Sequence, residues 1–465
     1  MNLKHPIMKI PESLLQKYNV PTPRYTSYPP ANYFHEEFTA EKNKAALIES
    51  NQTEPQNISF YIHIPFCGKL CYYCGCNTHI SQDKNLIKSY VETLKKEILL
   101  YKDLLDPKRK ISQIHWGGGT PNYLPIEEVE GIMALFFEHF GFIQKPEIAM
   151  ECHPAHLTFD YVDRLIKSGI NRMSLGVQDF DSKVMKAVNR SESIIPIDQL
   201  IQYIKTKGDI SVNLDFVYGL PYQTPENFKS TMQKAIQANP DRLAIFSYAH
   251  VPWLKKAQQK LEVYDLPNAE QKIALFETAF QSLTEKGYVA IGLDHFAKPN
   301  DELSIALNTK TIHRNFQGYC TRDTTGQVYA LGVSGISQLE NAYLQNTKDL
   351  RVYKKAIDAG ELPVEKVYFV NKEEKIIREV INELMCNNYV SFLHIASKYG
   401  LTIDELKAIL TFEETTIKQF EKEGLLVFKD DTIEITAEGQ FFMRNIAASF
   451  DPKMKTNEKS FSKAL

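Results

Sequence analysis

The chain has 465 residues, 43% apolar and 24% charged, proportions of a globular protein with material for more than one domain. Lys and Arg total 54 against 57 Asp and Glu, a formal net charge of −3, which excludes a broadly basic chain gripping nucleic acid or anionic lipid through bulk charge. No run approaches the ~18 apolar residues of a membrane span, and the opening MNLKHPIMKIPESLL lacks the apolar core of a secretory signal, so a cytoplasmic protein is expected.

Three segments are predicted: an arm over 1–55, a catalytic domain over 56–365 and a C-terminal domain over 366–465. The arm is rich in Pro and Tyr, notably Pro21 to Pro30, which reads as extended chain packed on a neighbour. From residue 58 apolar runs at Ser59–Phe66, Gln113–Trp116, Glu147–Cys152, Arg172–Val177, Val212–Tyr218 and Leu243–Tyr248 predict strands. Between them Asn85–Leu105, Ile126–Phe140, Phe159–Ser168 and Pro225–Ala238 predict helices. Strands alternating with helices imply βαβ units and a parallel sheet of six, either an open sheet or a partial barrel. Its functional loops belong at the C-terminal ends of the strands. YVAIGLDHF and YALGVSGIS predict further strands. Beyond 366 the pattern is mostly helical, with a helix over Lys372–Cys386, two shorter ones, the hairpin LLVFKDDTIEIT and a last helix from Ala437. This is winged-helix-like, but Asp430, Asp431 and Glu434 would repel phosphate, so DNA binding is not expected.

Seven cysteines are too few for a disulfide scaffold. Four of them, Cys67, Cys71, Cys74 and Cys76, crowd into one loop after the first strand, while Cys152, Cys320 and Cys386 are scattered. A zinc site would want a second pair downstream to close its tetrahedron, and none is obvious. Three thiolates on one loop suit three irons of a [4Fe–4S] cluster with the fourth iron open. Zinc and plain buried cysteines are the alternatives.

The spacing C-x3-C-x2-C, with Tyr73 before the third cysteine, resembles the radical S-adenosylmethionine (SAM) superfamily. The resemblance implies a partial (β/α)6 barrel, with Cys67, Cys71 and Cys74 as iron ligands and SAM chelating the open iron. Reductive cleavage of SAM would give a 5′-deoxyadenosyl radical. Cys76 is expected not to be a ligand, because a fourth thiolate would block SAM.

Gly117-Gly118-Gly119-Thr120-Pro121 follows the second strand and lets backbone approach a ligand, although glycine turns are common. Glu151, ending the third strand, is either a surface acid or a partner for a ribose or ammonium group. Gln178, Arg190, Asp215 and Ala249 lie at or beyond later strand ends, where each alone reads as structural or solvated. His313 to Tyr319, HRNFQGY, is either a surface loop or one that meets an anionic substrate. His63 is either a satisfied strand histidine or a proton donor near the cluster.

The likeness extends beyond the cysteines. PRYTSYP, HIPFCGKLCYYCGCN, HWGGGTPNYL, RMSLGVQDF, Asn189-Arg190, NLDFVYGLPYQT, GLDHFAKP, HRNFQGY and LGVSGIS together resemble the oxygen-independent coproporphyrinogen III oxidases (dehydrogenases), from about residue 15 to the final FSKAL. The resemblance implies a SAM-dependent oxidoreductase of heme biosynthesis. Such an enzyme converts two propionates of coproporphyrinogen III to vinyls, giving protoporphyrinogen IX. It implies two SAM molecules, the first lined by Tyr61, Gly118, Glu151 and Ile336, the second by Tyr73, Gly119, Thr120, Gln178, Arg190, Asp215 and Ala249. It also implies a monomer with an electron donor and acceptor that the sequence does not identify. Gly335 departs from the alanine common in relatives. Arg24, Arg314 and the lysines after Asp451 are candidates to meet the four substrate carboxylates. A related heme chaperone and other tetrapyrrole radical enzymes are the competing readings, disfavoured by the arm and by HRNFQGY.

Overall fold

The computed structural model describes residues 11–456 and Phe461. The chain folds as two compact units, each drawn from separate stretches: His35–Ser282 with Asp323–Phe369, and the described part of Met1–Phe34 with Leu283–Arg322 and Val370–Leu465. Residues from 35 onward fold with the sheet, and the earlier described ones fold with the C-terminal helices.

The first unit is a sheet of strands β1 (Ile58–Ile64), β2 (Lys110–Gly118), β3 (Gly141–Cys152), β4 (Arg172–Gln178), β5 (Ser211–Tyr218), β6 (Arg242–Ser247), β7 (Gln327–Leu331), β8 (Ile336–Gln338), β9 (Ala342–Asn346) and β10 (Val364–Phe369). They lie in the order β10-β9-β8-β7-β1-β2-β3-β4-β5-β6. The run from β7 to β6 is parallel throughout, and β8 to β10 continue it antiparallel. This is the partial barrel expected of a radical SAM fold, with one parallel strand more than the six-unit reading. That strand, β7, comes from YALGVSGIS and pairs with β1, Ile58 opposite Gln327 and Ile62 opposite Leu331.

Strands covered on both faces read as continuous apolar runs. In β1 every residue but Tyr61 is buried. Phe60 sits among Tyr101, Phe136, Phe140 and Tyr329 with ring centroids 5.0–6.3 Å apart. The crossovers are α1 (Lys84–Leu104), α2 (Ile126–His139), α3 (Phe159–Lys167), α4 (Ser182–Ala187), α5 (Ile197–Lys205) and α6 (Pro225–Gln237). Asp83 caps α1, Thr158 caps α3, and Thr224 with Asn227 forms a capping box on α6. Helix α5 was not anticipated, although its Ile197, Leu200, Ile201 and Ile204 make one buried face.

In the second unit, Tyr18, Tyr25 and Tyr28 of the arm are buried with Ile376, Leu384, Phe392, Phe442 and Ile446. Tyr25 and Tyr28 each donate a 2.9 Å hydrogen bond to the buried Asp451. Helices Lys372–Asn387, Phe392–Tyr399, Ile403–Ile409 and Glu414–Lys422 precede the hairpin of Leu426–Lys429 and Thr432–Ile435. HRNFQGY is neither loop of the sequence reading. It is the hairpin Ile312–Asn315 with Gly318–Thr321, pairing Arg314 with Tyr319. Among the described residues no helix is long and apolar enough to cross a membrane.

Candidate active site

The cysteine loop leaves the end of β1 and is clamped on two sides. On one side the glycine turn after β2 docks against it. Gly119 N–H donates to the Ile64 carbonyl (2.8 Å), Thr120 N–H donates to that of Phe66 (3.0 Å), and Thr120 Oγ1 lies 3.2 Å from Cys67 Sγ. The approach leaves no room for side chains. A Cβ on Gly119 would come within 2.7 Å of the Pro65 carbonyl, and one on Gly118, at φ +112°, within 2.7 Å of the His63 ring. On the other side stands the end of α4. Tyr72 N–H donates to the Val188 carbonyl (3.0 Å), and Asn189 Nδ2, from a left-handed turn, donates to that of Leu70 (2.8 Å). Arg190 reaches Cys71 Sγ with Nη1 (3.5 Å) and the Gly176 carbonyl with Nη2 (2.5 Å).

One cavity at the C-terminal ends of the strands is lined by Cys67, Cys71, Cys74, Tyr73, Gly118, Gly119, Thr120, Glu151, Gln178, Arg190 and Asp215. These separate sequence candidates are therefore brought together. Tyr61, Ala249, Ile336 and His63 are not among the cavity's lining residues. Tyr61 donates to His63 Nδ1 (3.0 Å), whose Nε2–H donates to the Asn77 carbonyl (3.0 Å). With both nitrogens engaged and burial lowering its pKa, His63 has the environment of a satisfied strand histidine. The Ala249 carbonyl accepts from Gln258 Nε2 (3.2 Å), and Ile336 pairs with Gln345. Arg24 and Arg314 belong to the other unit. There Arg24 is exposed, and its carbonyl accepts from the buried Arg314 (3.2 Å), whose guanidinium lies 5.1 Å from the Tyr319 ring. Of the tail lysines, Lys453 pairs with Glu374 and Lys455 with Glu413. Lys459 and Lys463 lie outside the described residues.

Several residues of the site were not singled out from sequence. His115 Nε2 lies 3.0 Å from Glu151 Oε1, and its ring stacks on Tyr61. Ser174 and Asn213 donate to the two oxygens of Asp215 (2.7 and 2.6 Å). His153 lines the cavity, and its Nδ1 accepts from Ala155 N–H (3.2 Å). Its Nε2–H is left as a donor without a protein partner among the described residues. Burial, with Arg190 nearby, takes its pKa down to about 2, so it is neutral at physiological pH. Lone histidines carry no spacing signal, which is why the sequence passes over them.

Whether these residues suit an iron–sulfur cluster can be tested on the donor set itself. Cys67, Cys71 and Cys74 border one cavity together with Cys76 and Cys152, and among the described residues no three His, Cys, Asp or Glu side chains converge on a single-ion site. Burial raises the Cys67 thiol to about 11, while a hydrogen bond from Cys76 pulls Cys74 below its ordinary range. Arg190 Nε is buried without a partner beside the thiols. Spread thiols, one anion-stabilising guanidinium and an orphaned donor fit a multi-iron cluster with a ligand beside it.

Residues 61–235 match the radical SAM superfamily, and residues 370–442 match the HemN C-terminal domain. The chain is similar to the oxygen-independent coproporphyrinogen III oxidase of Synechocystis sp., 40% identical over 100% of both chains. To that of Escherichia coli it is 37% identical over 97% of this chain and 98% of the relative. The chain belongs to the oxygen-independent coproporphyrinogen III oxidase family. The solved structure of coproporphyrinogen III oxidase from Escherichia coli, described as a radical SAM enzyme, superposes with a TM-score of 0.88 at 36% identity, covering 96% of this chain and all of that one. Membership of this oxidase family makes the chain an oxidoreductase that uses a [4Fe–4S] cluster and SAM.

Proposed function

We propose that this chain converts two propionate side chains of coproporphyrinogen III to vinyls, giving protoporphyrinogen IX without oxygen, in the cytoplasm and as a monomer. Each conversion removes one hydrogen atom from the propionate β-carbon, one carbon dioxide and one electron, so an external acceptor takes the electron and an external donor primes the cluster. The observation carrying this reading is the cavity that gathers the thiols of Cys67, Cys71 and Cys74 with those of Cys76 and Cys152, the glycine turn, Gln178, Arg190 and Asp215, on a chain similar to these oxidases along its full length.

When bound, the cluster and SAM supply the one-electron chemistry that abstracts the hydrogen atom. The protein's part is binding and orientation. Cys67, Cys71 and Cys74 hold the cluster, and Arg190 balances thiolate charge at Cys71. Gly118 and Gly119 present backbone where a Cβ would obstruct. Glu151, steadied by His115, and Asp215, steadied by Ser174 and Asn213, offer carboxylates to the ammonium or ribose hydroxyls of SAM. Tyr61 and Ile336 would help hold a first SAM molecule, and Tyr73, Thr120, Gln178 and Ala249 a second. Cationic side chains would meet the substrate carboxylates.

The test is anaerobic reconstitution followed by incubation with dithionite, SAM, coproporphyrinogen III and an electron acceptor. Protoporphyrin, measured after oxidation, with two 5′-deoxyadenosines per molecule is the expected result. An intact cluster without decarboxylation, in a protein that retains heme, would establish the chaperone instead.

A further inference from the structure

Among the large apolar side chains of the described residues, the three most exposed are Val263 at 79%, Trp253 at 73% and Leu254 at 72%. All three belong to one stretch, 251–266, which is fastened to the cysteine loop. Lys255 Nζ donates to the Cys76 carbonyl (2.9 Å), Gln258 Nε2 donates to that of Tyr73 (3.2 Å), and Lys260 lies 4.6 Å over the Tyr72 ring. Buried Leu261 packs in the same cluster as Tyr72 and Tyr73. None of the three exposed side chains lines the cavity that holds the thiols. They are therefore not explained by what that cavity binds.

We infer that this loop is the docking surface for a small acidic one-electron carrier protein that reduces the cluster, an inference that rests on the function proposed above. The charge favours such a partner. Lys255, Lys256 and Lys260 follow Trp253 and Leu254 in the same stretch, and exposed Lys69 stands on the cysteine loop itself, in a chain of net charge −3. Of the loop's two acids, Glu262 faces His250 at 3.6 Å, and Asp265 lies toward its far end. Exposed apolar side chains and lysines on one stretch give the small, charge-steered contact that transient electron-transfer partners use. Two of the loop's hydrogen bonds end on the carbonyls of Tyr73 and Cys76, on either side of Cys74, so a covalent and hydrogen-bonded route inward from this surface leads to a thiol. The carrier loses one electron and the cluster gains it.

Full-length reconstituted protein is assayed in two arms, one driven by dithionite and one by reduced flavodoxin as the acidic probe. Trp253→Ser combined with Leu254→Ser, and separately Lys256→Glu, should lower flavodoxin-driven kcat/KM about tenfold or more. Dithionite-driven turnover and the KM for coproporphyrinogen III should stay at wild-type values. Lys256→Glu should also flatten the salt dependence of the flavodoxin arm. Equal losses in both arms, or a raised substrate KM with dithionite, would overturn the inference and assign the surface to substrate. Unchanged flavodoxin kinetics would overturn it outright, as would a wild-type dimer that the double variant disperses in sedimentation. A wild-type protein inactive with dithionite would sink the decarboxylase reading instead.

Discussion

Arg190 spans from Cys71 Sγ, 3.5 Å from one guanidinium nitrogen, to the Gly176 carbonyl, 2.5 Å from the other, so one side chain ties the cysteine loop to β4. Its third nitrogen is buried without a partner. A planar fork with several donors can do this and an ammonium cannot. Arg190→Lys should keep iron content near wild type and weaken SAM binding roughly ten- to hundredfold, the loss of one charge-assisted hydrogen bond of about 1.5–3 kcal/mol. Iron analysis, together with the SAM-induced change in the cluster's electron paramagnetic resonance spectrum, checks both halves.

His115 acts on Glu151 from behind, held by its stack on Tyr61. His115→Phe preserves the stack but removes the hydrogen bond. The expected outcome is a several-fold rise in KM for SAM with kcat nearly unchanged, and a larger rise for Glu151→Gln. Steady-state kinetics at varied SAM decides it, and a fall in kcat alone would contradict the positioning role.

Gly335 is a packing position. A Cβ there would lie 2.9 Å from Ala330 Cβ. Gly335→Ala should cost about 1–3 kcal/mol through overpacking. Ala330→Gly should recover most of that in the double variant, because it removes the atom that is struck. Denaturant melts of the two singles and the double form the cycle.

Glu97 is fully buried in α1. Its carboxylate accepts from Gly332 N–H (2.7 Å), Tyr353 Oη (2.7 Å) and Asn346 Nδ2 (3.1 Å). Burial outweighs these bonds and raises its pKa to about 7 from 4.5. A carboxyl with a raised folded-state pKa favours folding when protonated. That stability is therefore full below about pH 4.5 and is lost as pH rises to about 7, a change of about 3 kcal/mol. Glu97→Gln should flatten the stability profile across that window, as read by melting temperature against pH.

Strands β1 to β6 and helices α1, α2, α3 and α6 were legible, because apolar period and caps are local properties; the largest miss is the start of β3, six residues before the expected one. The pairing of β7 with β1 was not, since parallel pairing joins residues 58 and 327 and leaves no periodic trace. The arm's prolines and tyrosines announced packing, but not that Tyr25 and Tyr28 would converge on Asp451. At the site, the cysteine spacing and the glycine turn were readable as contiguous motifs. His115 and His153 were not, because a single histidine acquires its role from what the fold sets beside it. Arg314 was singled out for its charge, whereas the fold buries it against Arg24 and Tyr319.

The late arrival of β7 has a consequence for biogenesis. Until residue 331 has been synthesised, β1, from whose end the cysteine loop leaves, is an unpaired edge on an apolar sheet, the kind of edge that recruits other chains. At ribosomal rates of about 5–20 residues per second this lasts roughly ten seconds to a minute. Iron delivered to the nascent chain would meet the cysteines beside an open edge. The order of metal loading and chain completion thus bears on how much of this protein survives its own synthesis.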